Sequence, residues 1–161
     1  MIFVTTGTQE PFKRLIYALD EIAPAIGQKI IVQDSGVNYR LKHLNVITML
    51  TPQQYSQYFD NATLIISHAG MGTIISALVK QKPIIIMPRS VKLKEHRNDH
   101  QLATAKRFSD MGYVHVAFDE KTLQSMLTDN PISDIKCLKK LNKYASTSLI
   151  DSLKEITHTS L

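Results

Sequence analysis

Three short stretches of the sequence gather side chains able to bind an anion, grip a hydroxyl-rich ligand or move a proton. The densest is Glu95-His96-Arg97-Asn98-Asp99-His100-Gln101, seven successive polar residues with carboxylate, imidazole, guanidinium and amide groups. That set of donors and acceptors suits sugar hydroxyls, and an ordinary polar helix start is the plain alternative. His96 and His100 stand four apart with Asp99 beside them, but HxxxH without its Glu is weak as a metal pattern. The second stretch is Ser67-His68-Ala69-Gly70-Met71-Gly72-Thr73. Two glycines permit a tight turn, and the N–H groups of the helix start that follows, with the Thr73 hydroxyl, form an anion site suited to a diphosphate. A strand-to-helix turn with a satisfied histidine is the competing reading. The third is Thr5-Thr6-Gly7-Thr8-Gln9-Glu10-Pro11, where a glycine flanked by hydroxyls lets backbone amides approach a phosphate or leaving oxygen. A plain turn would look the same. Neither common nucleotide fingerprint is present: there is no GK[ST], and Ile75 stands where the third glycine of GxGxxG would fall.

Such stretches need a scaffold, and apolar patterning supplies one. Strand-like runs recur at Ile2 to Thr5, Lys29 to Gln33, Val46 to Leu50, Thr63 to Ser67, Ile84 to Met87 and Val114 to Ala117. Between them lie helical periods: Phe12, Leu15, Ile16, Leu19 and Ile22, then Ile74, Ile75, Leu78 and Val79, then Leu102, Ala105, Lys106 and Phe108. The alternation predicts an α/β fold, a Rossmann-like parallel sheet of about six strands covered on both faces in three layers. In open parallel sheets ligands bind outside the carboxyl ends of the strands, and each of the three polar stretches lies in a segment after one, the densest beyond Pro88-Arg89 and a lysine-bearing loop. Asp34 to Asn45, containing SGVNY, is expected to be an irregular loop. Residues 1–161 are expected to form a single domain, with 131–161 a C-terminal helical appendage beyond Asp129-Asn130-Pro131. There Lys136, Lys139, Lys140 and Lys143 fall at helical spacing opposite Ile135, Leu138 and Leu141, as a solvated face or as a basic stripe for an anionic leaflet or partner.

A net charge of +5 suits an anionic partner. Nucleic acid is disfavoured by 7% aromatic residues, no Trp, and no zinc-finger or ribonucleoprotein spacing. No run reaches the roughly 20 apolar residues of a membrane span, and MIFVTTGTQ lacks the basic start of a signal peptide, so a cytoplasmic protein is expected. The single cysteine, Cys137, has no activating neighbour and reads as structural.

FVTTGTQ, ISHAGMGTIISAL, and KPIIIMPR followed by EHRNDHQLATAKRF together resemble the C-terminal, donor-binding half of GT-B glycosyltransferases of family 28, which includes the peptidoglycan N-acetylglucosaminyltransferase. The likeness is greatest to free-standing small subunits, namely the catalytic half of the dolichol-pathway N-acetylglucosaminyltransferase and bacterial exopolysaccharide glucuronosyl or galactosyl transfer subunits. The resemblance implies that Gly7 and Thr8 lie at the cleft between donor and acceptor halves. It implies that Gly70, Met71, Gly72 and Thr73 hold the diphosphate and that Asn98, Asp99, His100 and Gln101 hold the sugar, with His68 and Arg89 as further nucleotide contacts. Ser76 stands where the peptidoglycan type has an acidic residue for the ribose, a weaker partner for a hydroxyl.

The implied reaction is an inverting displacement of UDP from a UDP-sugar, with His68, Glu10 and Asp99 as candidate bases unless the partner supplies one. With no DxD pair, neither metal nor cofactor is expected. One chain of this length forms one of the two GT-B halves. The resemblance therefore implies a membrane-anchored acceptor-binding subunit, a lipid-diphosphate-linked saccharide acceptor in exopolysaccharide or capsule synthesis, and recruitment to the inner face of the cell membrane. Homodimerisation is a further expectation. The rival readings are a noncatalytic nucleotide-sugar-binding or enhancer subunit and a hydrolysing epimerase, which would need both halves in one chain. The sequence leaves hexose, hexuronic acid and N-acetylhexosamine open, with Arg97 available to a uronate carboxylate or simply solvated.

Overall fold

A computed structural model describes residues 1–129 and 131–141. Strand β1, Ile2–Thr5, is buried along its whole length at the centre of a six-stranded sheet. Helix α1 (Lys13–Ile26) leads to β2 (Ile30–Gln33) and β3 (Val46–Ile47), then α2 (Pro52–Asn61), β4 (Leu64–His68), α3 (Met71–Val79) and β5 (Ile84–Met87). Helix α4 (His100–Asp110), β6 (His115–Val116), α5 (Glu120–Thr128) and a 3-10 turn (Ile132–Asp134) follow. The strand order is β3-β2-β1-β4-β5-β6 and every pairing is parallel.

Side chains alternate across a strand, and the two faces divide accordingly. Ile2, Val4, Leu64, Ile66, Ile85 and Met87 pack with Leu15, Ile16 and Leu19 of α1 and Leu123 and Leu127 of α5. Phe3, Ile65, Ile84 and Ile86 pack with Phe59 of α2, Ile74, Ala77 and Leu78 of α3, and Ala105 of α4. This is the predicted three-layer arrangement, and each fully buried Leu or Ile contributes about 1.5–3 kcal/mol.

The differences from the sequence expectation lie at the edges. β3 and β6 shrink to two residues each, since an edge strand pairs on one side only. Helix α2 had no apolar period to announce it. Its signal is local instead: Thr51 accepts from Gln54 N–H in a capping box, with Pro52 in the first turn. Tyr55, Tyr58 and Phe59 then surround Phe3, with ring centroids at 5.4, 5.9 and 6.3 Å.

The expected irregular loop after β2 is organised by a carboxylate from α1. Asp20, 5% exposed, accepts hydrogen bonds from the N–H groups of Lys42, His43 and Leu44, each at 2.8 Å. Burial alone would raise its pKa, but the three backbone donors outweigh it and hold the carboxyl below its usual range. A carboxyl with a lowered folded pKa contributes stability that is present above its unfolded pKa and lost as pH falls through the folded one. Asp20→Ala is therefore expected to destabilise the chain at neutral pH by about 2–4 kcal/mol, with a difference from wild type that shrinks below the usual carboxylate range. Urea unfolding at neutral and strongly acidic pH checks both.

The C-terminal segment corrects another expectation. Over 131–141 there is one 3-10 turn and no α-helix, so Lys136, Lys139 and Lys140 do not form a helical stripe. The backbone is instead tied to the sheet's edge. His115 Nε2 meets Lys136 O at 2.9 Å, Lys139 Nζ donates to Met111 O at 2.6 Å and lies 5.0 Å from the Tyr113 ring centroid, and Leu141 N donates to Leu78 O at 3.4 Å. Cys137 Sγ donates to Lys139 O within this segment. Lys143 and the rest of the expected appendage lie outside the described residues.

Candidate functional site

Thr5 is level with Gln33 and Ser67, and His68 with Met87, so the central strands end together at one edge. From β1 the chain winds outward through β2 and β3, and from β4 the other way through β5 and β6. Loops diverge at such a switch point and leave a crevice. Here it is a cleft of about 600 Å³ lined by Thr6, Gly7, Thr8, Gln9, Glu10, His68, Arg89, His96, Arg97, Asn98 and Gln101.

The loop after β1 is clamped from two sides. Behind it Asp34, fully buried at the end of β2, accepts from Thr6 Oγ1, from Phe12 N at 2.9 Å, from Gly36 N at 2.7 Å and from the Tyr39 hydroxyl. Gln33 accepts from Thr5 Oγ1 at 2.7 Å and donates to Gly7 O at 3.1 Å. From the other side Arg89, 3% exposed, donates to Pro11 O at 2.8 Å, Glu10 O at 2.6 Å and Thr6 O at 3.3 Å, with its guanidinium 4.6 Å from the Phe12 ring centroid. Arg89 was expected as a nucleotide contact. It does reach the cleft wall, but its guanidinium is committed to holding the loop.

His68 is packed between glycines. A Cβ on Gly70 would lie 2.3 Å from its Nε2, and one on Gly7, where φ is +82°, would lie 3.3 Å from its Cε1. Burial first, and then the nearby positive charge of Arg89, push its pKa from the usual 6.5 down to about 4. The imidazole is thus neutral at neutral pH and a weak base, and among the described residues its buried Nδ1 has no hydrogen-bond partner. Because the unfolded chain binds this proton more readily, stability is expected to fall as pH drops from about 6.5 to about 4, by roughly 2–4 kcal/mol in all. Unfolding midpoints across that window check it, and His68→Asn should flatten the slope.

The third loop is braced by an ion pair. Glu95 takes Arg14 Nε at 2.7 Å and Nη2 at 2.9 Å while accepting from Ser90 N at 3.0 Å, so this carboxylate from the polar run serves the fold. Asn98 Oδ1 accepts from His100 N at 3.3 Å, Asp99 Oδ1 from Val91 N at 3.2 Å, and Gln101 Oε1 from Arg89 N at 3.2 Å.

Helix starts differ in a consistent way. α2 and α5 follow the edge strands β3 and β6, and both are capped by a side chain, from Thr51 and Asp119. α1, α3 and α4 follow the central strands β1, β4 and β5, and none is capped by the side chain of its own N-cap residue, Phe12, Gly70 or Asp99. At α1 and α4 neighbouring side chains take the first amides, Asp34 accepting from Phe12 N and Asn98 from His100 N, so among the described residues the start of α3 is the one that keeps its first N–H groups and dipole open to an anion at the switch point.

Of the residues singled out in sequence, Gly7, Thr8, Glu10, His68, Arg89, Asn98 and Gln101 line the cleft. Gly70 is the N-cap of α3 against His68. Met71, Gly72, Thr73 and Ser76 occupy the first turns of α3, and Asp99 and His100 the start of α4, outside the lining set. Ser76 Oγ donates to Gly72 O at 2.8 Å, which uses its proton inside the helix. Sequence reasoning missed Asp34, Gln33 and the Arg14–Glu95 brace. The one hint was Gln-Asp closing the apolar run of β2.

Residues 1–156 match the family described as glycosyltransferase family 28 C-terminal domain. The chain is 39% identical over 115 residues to the UDP-N-acetylglucosamine transferase subunit ALG13 of Eremothecium gossypii, covering 71% of this chain and 55% of that one. It is 32% identical over 97 residues to the UDP-N-acetylglucosamine–N-acetylmuramyl-(pentapeptide) pyrophosphoryl-undecaprenol N-acetylglucosamine transferase of Clostridium novyi, covering 57% and 26%. It therefore spans about half or less of the curated relatives it matches. Its fold is similar to the NMR solution structure of ALG13, with TM-score 0.56 and 21% identity over 94% of this chain and 93% of that one. It is also similar to Acinetobacter baumannii MurG, with TM-score 0.51 and 16% identity over 98% and 49%.

Proposed function

The chain belongs to the glycosyltransferase family 28 C-terminal domain family, and from that premise we propose that it is the UDP-sugar-binding, catalytic half of an inverting transferase. The observation that supports this most directly is the open start of α3, whose N-cap Gly70 packs against His68 on the wall of the polar cleft. In this reading the amides at Met71, Gly72 and Thr73 receive the diphosphate, the side chains of Asn98, Asp99, His100 and Gln101 receive the sugar, and Gly7 and Thr8 border the reacting centre. Charge developing on the leaving UDP is met by fixed N–H dipoles, which stabilise it without reorganisation. We assign the charge stabilisation to the amides, with no metal or cofactor. Of the candidate bases, Glu10 lines the cleft with an exposed side chain, whereas burial leaves His68 weakly basic and Asp99 lies off the wall.

The other half of the enzyme belongs, on this proposal, to a membrane-anchored subunit carrying a lipid-diphosphate-linked acceptor. Met71 and Ile75, one turn apart on α3 and 47% and 44% exposed, offer that subunit an apolar landing beside the diphosphate amides. Among the described residues no helix is long and apolar enough to cross a membrane. The relatives' names point to N-acetylglucosamine donors and, in one group, to an undecaprenol-borne acceptor. The proposed donor class is a UDP-linked N-acetylhexosamine, hexose or hexuronic acid, with exopolysaccharide or capsule synthesis as one setting.

Calorimetric titration with UDP and a panel of UDP-sugars, with and without magnesium, tests the reading. Binding that is indifferent to magnesium is expected. Failure of UDP to bind either the chain or its complex would overturn the donor-half assignment, and binding without turnover in the complex would establish the noncatalytic alternative.

A further inference from the structure

Beside the donor cleft runs a second groove of about 830 Å³, between the start of α1 and the loop after β5. Its apolar contributors include Pro11, Val91 and Leu93, and its cations Lys13, Lys94 and Arg97. Arg14, also on the groove, is neutralised by its bidentate pair with Glu95. Glu10 is the remaining carboxylate on the rim. At the tip of the loop Leu93 is 56% exposed, between the exposed side chains of Lys92 and Lys94.

The tip is built rather than loose. Leu93 N donates to Ser90 O at 3.3 Å, Lys94 N to Val91 O at 2.9 Å and Glu95 N to Ser90 O at 3.0 Å. Lys94 takes a left-handed φ of +56°, an unfavourable choice for a lysine, to close that turn. The fold thus fixes an isolated Leu outward amid cations, where water gives it nothing.

We infer that this loop docks the chain on an anionic lipid bilayer, with Leu93 entering the interface and Lys13, Lys92, Lys94 and Arg97 meeting lipid phosphates. Charge complementarity and the apolar tip together select a bilayer, since an anionic ligand in solution would leave Leu93 unburied. Each cation near an anionic leaflet strengthens binding by about fivefold, and long lysine stems lie easily along acyl chains. Because His96 and Arg97 line both the groove and the cleft, docking brings the cleft mouth to the membrane surface. Its value for a lipid-borne acceptor rests on the transferase reading, whereas the docking does not.

Co-sedimentation of the full chain with phosphatidylcholine vesicles, with or without phosphatidylserine, tests this apart from any sugar transfer. The chain is expected to bind the phosphatidylserine vesicles alone and to leave them as salt rises. Leu93→Asp should weaken binding by about tenfold, and Lys92→Gln with Lys94→Gln by about 25-fold, with unchanged melting and unchanged UDP titration. No binding to anionic vesicles, or undiminished binding by both variants, would overturn the inference. So would displacement by inorganic phosphate where chloride of equal ionic strength has no effect, which would assign the groove to a soluble anion.

Discussion

Replacing Asp34 with alanine is expected to lower the unfolding free energy by about 3–5 kcal/mol, among the largest losses that a single substitution can cause. Four donors converge on this carboxylate: Thr6 Oγ1, Phe12 N, Gly36 N and the Tyr39 hydroxyl. Asp34 is fully buried, so most of these groups would lose a partner without gaining bulk water, at about 1–3 kcal/mol each before relaxation. Asp34→Asn keeps one acceptor oxygen but turns an NH₂ toward donors, and should fall between alanine and wild type. Tyr39 supplies a second readout: burial, and then its hydrogen bond to Asp34, hold its phenol well above the usual range. Either substitution should bring the Tyr39 titration down in ultraviolet difference spectra. Urea midpoints give the stability change, and a loss below about 1 kcal/mol would mean that the loop after β1 does not depend on Asp34.

The second large effect is expected on binding with little change in the fold. At Gly72 an added Cβ meets no atom of the described residues within 4 Å, and no unusual backbone angle excludes a side chain. Alanine there should leave the chain as stable or raise its stability by about 0.5–1 kcal/mol, because glycine is a poor residue inside a helix. In the proposed complex the same methyl group would stand between the first-turn amides of α3 and the diphosphate. UDP affinity should fall by at least about tenfold, or 1.4 kcal/mol. Gly70 behaves oppositely, since its Cβ would lie 2.3 Å from the His68 ring and the cleft wall would have to move. Melting curves and calorimetry on both variants separate a residue needed by the ligand from one needed by the protein. A Gly72→Ala chain that binds UDP normally would remove the diphosphate from the start of α3.

What the sequence determined by itself was layered order. Continuous runs such as Ile84-Ile85-Ile86-Met87 could be buried on both faces only in a covered parallel sheet, and the helical periods between strands supplied the cover. Because the polar segments lie between those strands and the helices after them, the sequence also placed Gly7, His68 and Asn98 at one edge. Local periodicity was blind to α2, whose start is marked by a capping box instead of an apolar stripe, and it misread 136–141, where lysine spacing suits a helix that the backbone does not form.

Tertiary structure decided which polar groups face the ligand and which hold the site together. Glu95 and Arg89 look like binding residues in one dimension, yet Glu95 meets Arg14 across 81 positions and Arg89 meets Glu10 O across 79. Asp34 looks like a loop residue and Asp20 like a solvated helix residue, yet each is buried where backbone N–H groups converge on it. A charged side chain's role depends on what remains unpaired after folding, and such long-range pairing leaves no period in the sequence. Part of the cleft wall, such as Gly7, His68 and Asn98, was therefore legible in the chain, while the sorting of polar residues into struts and wall came only with the strand order that brings β1, β4 and β5 side by side.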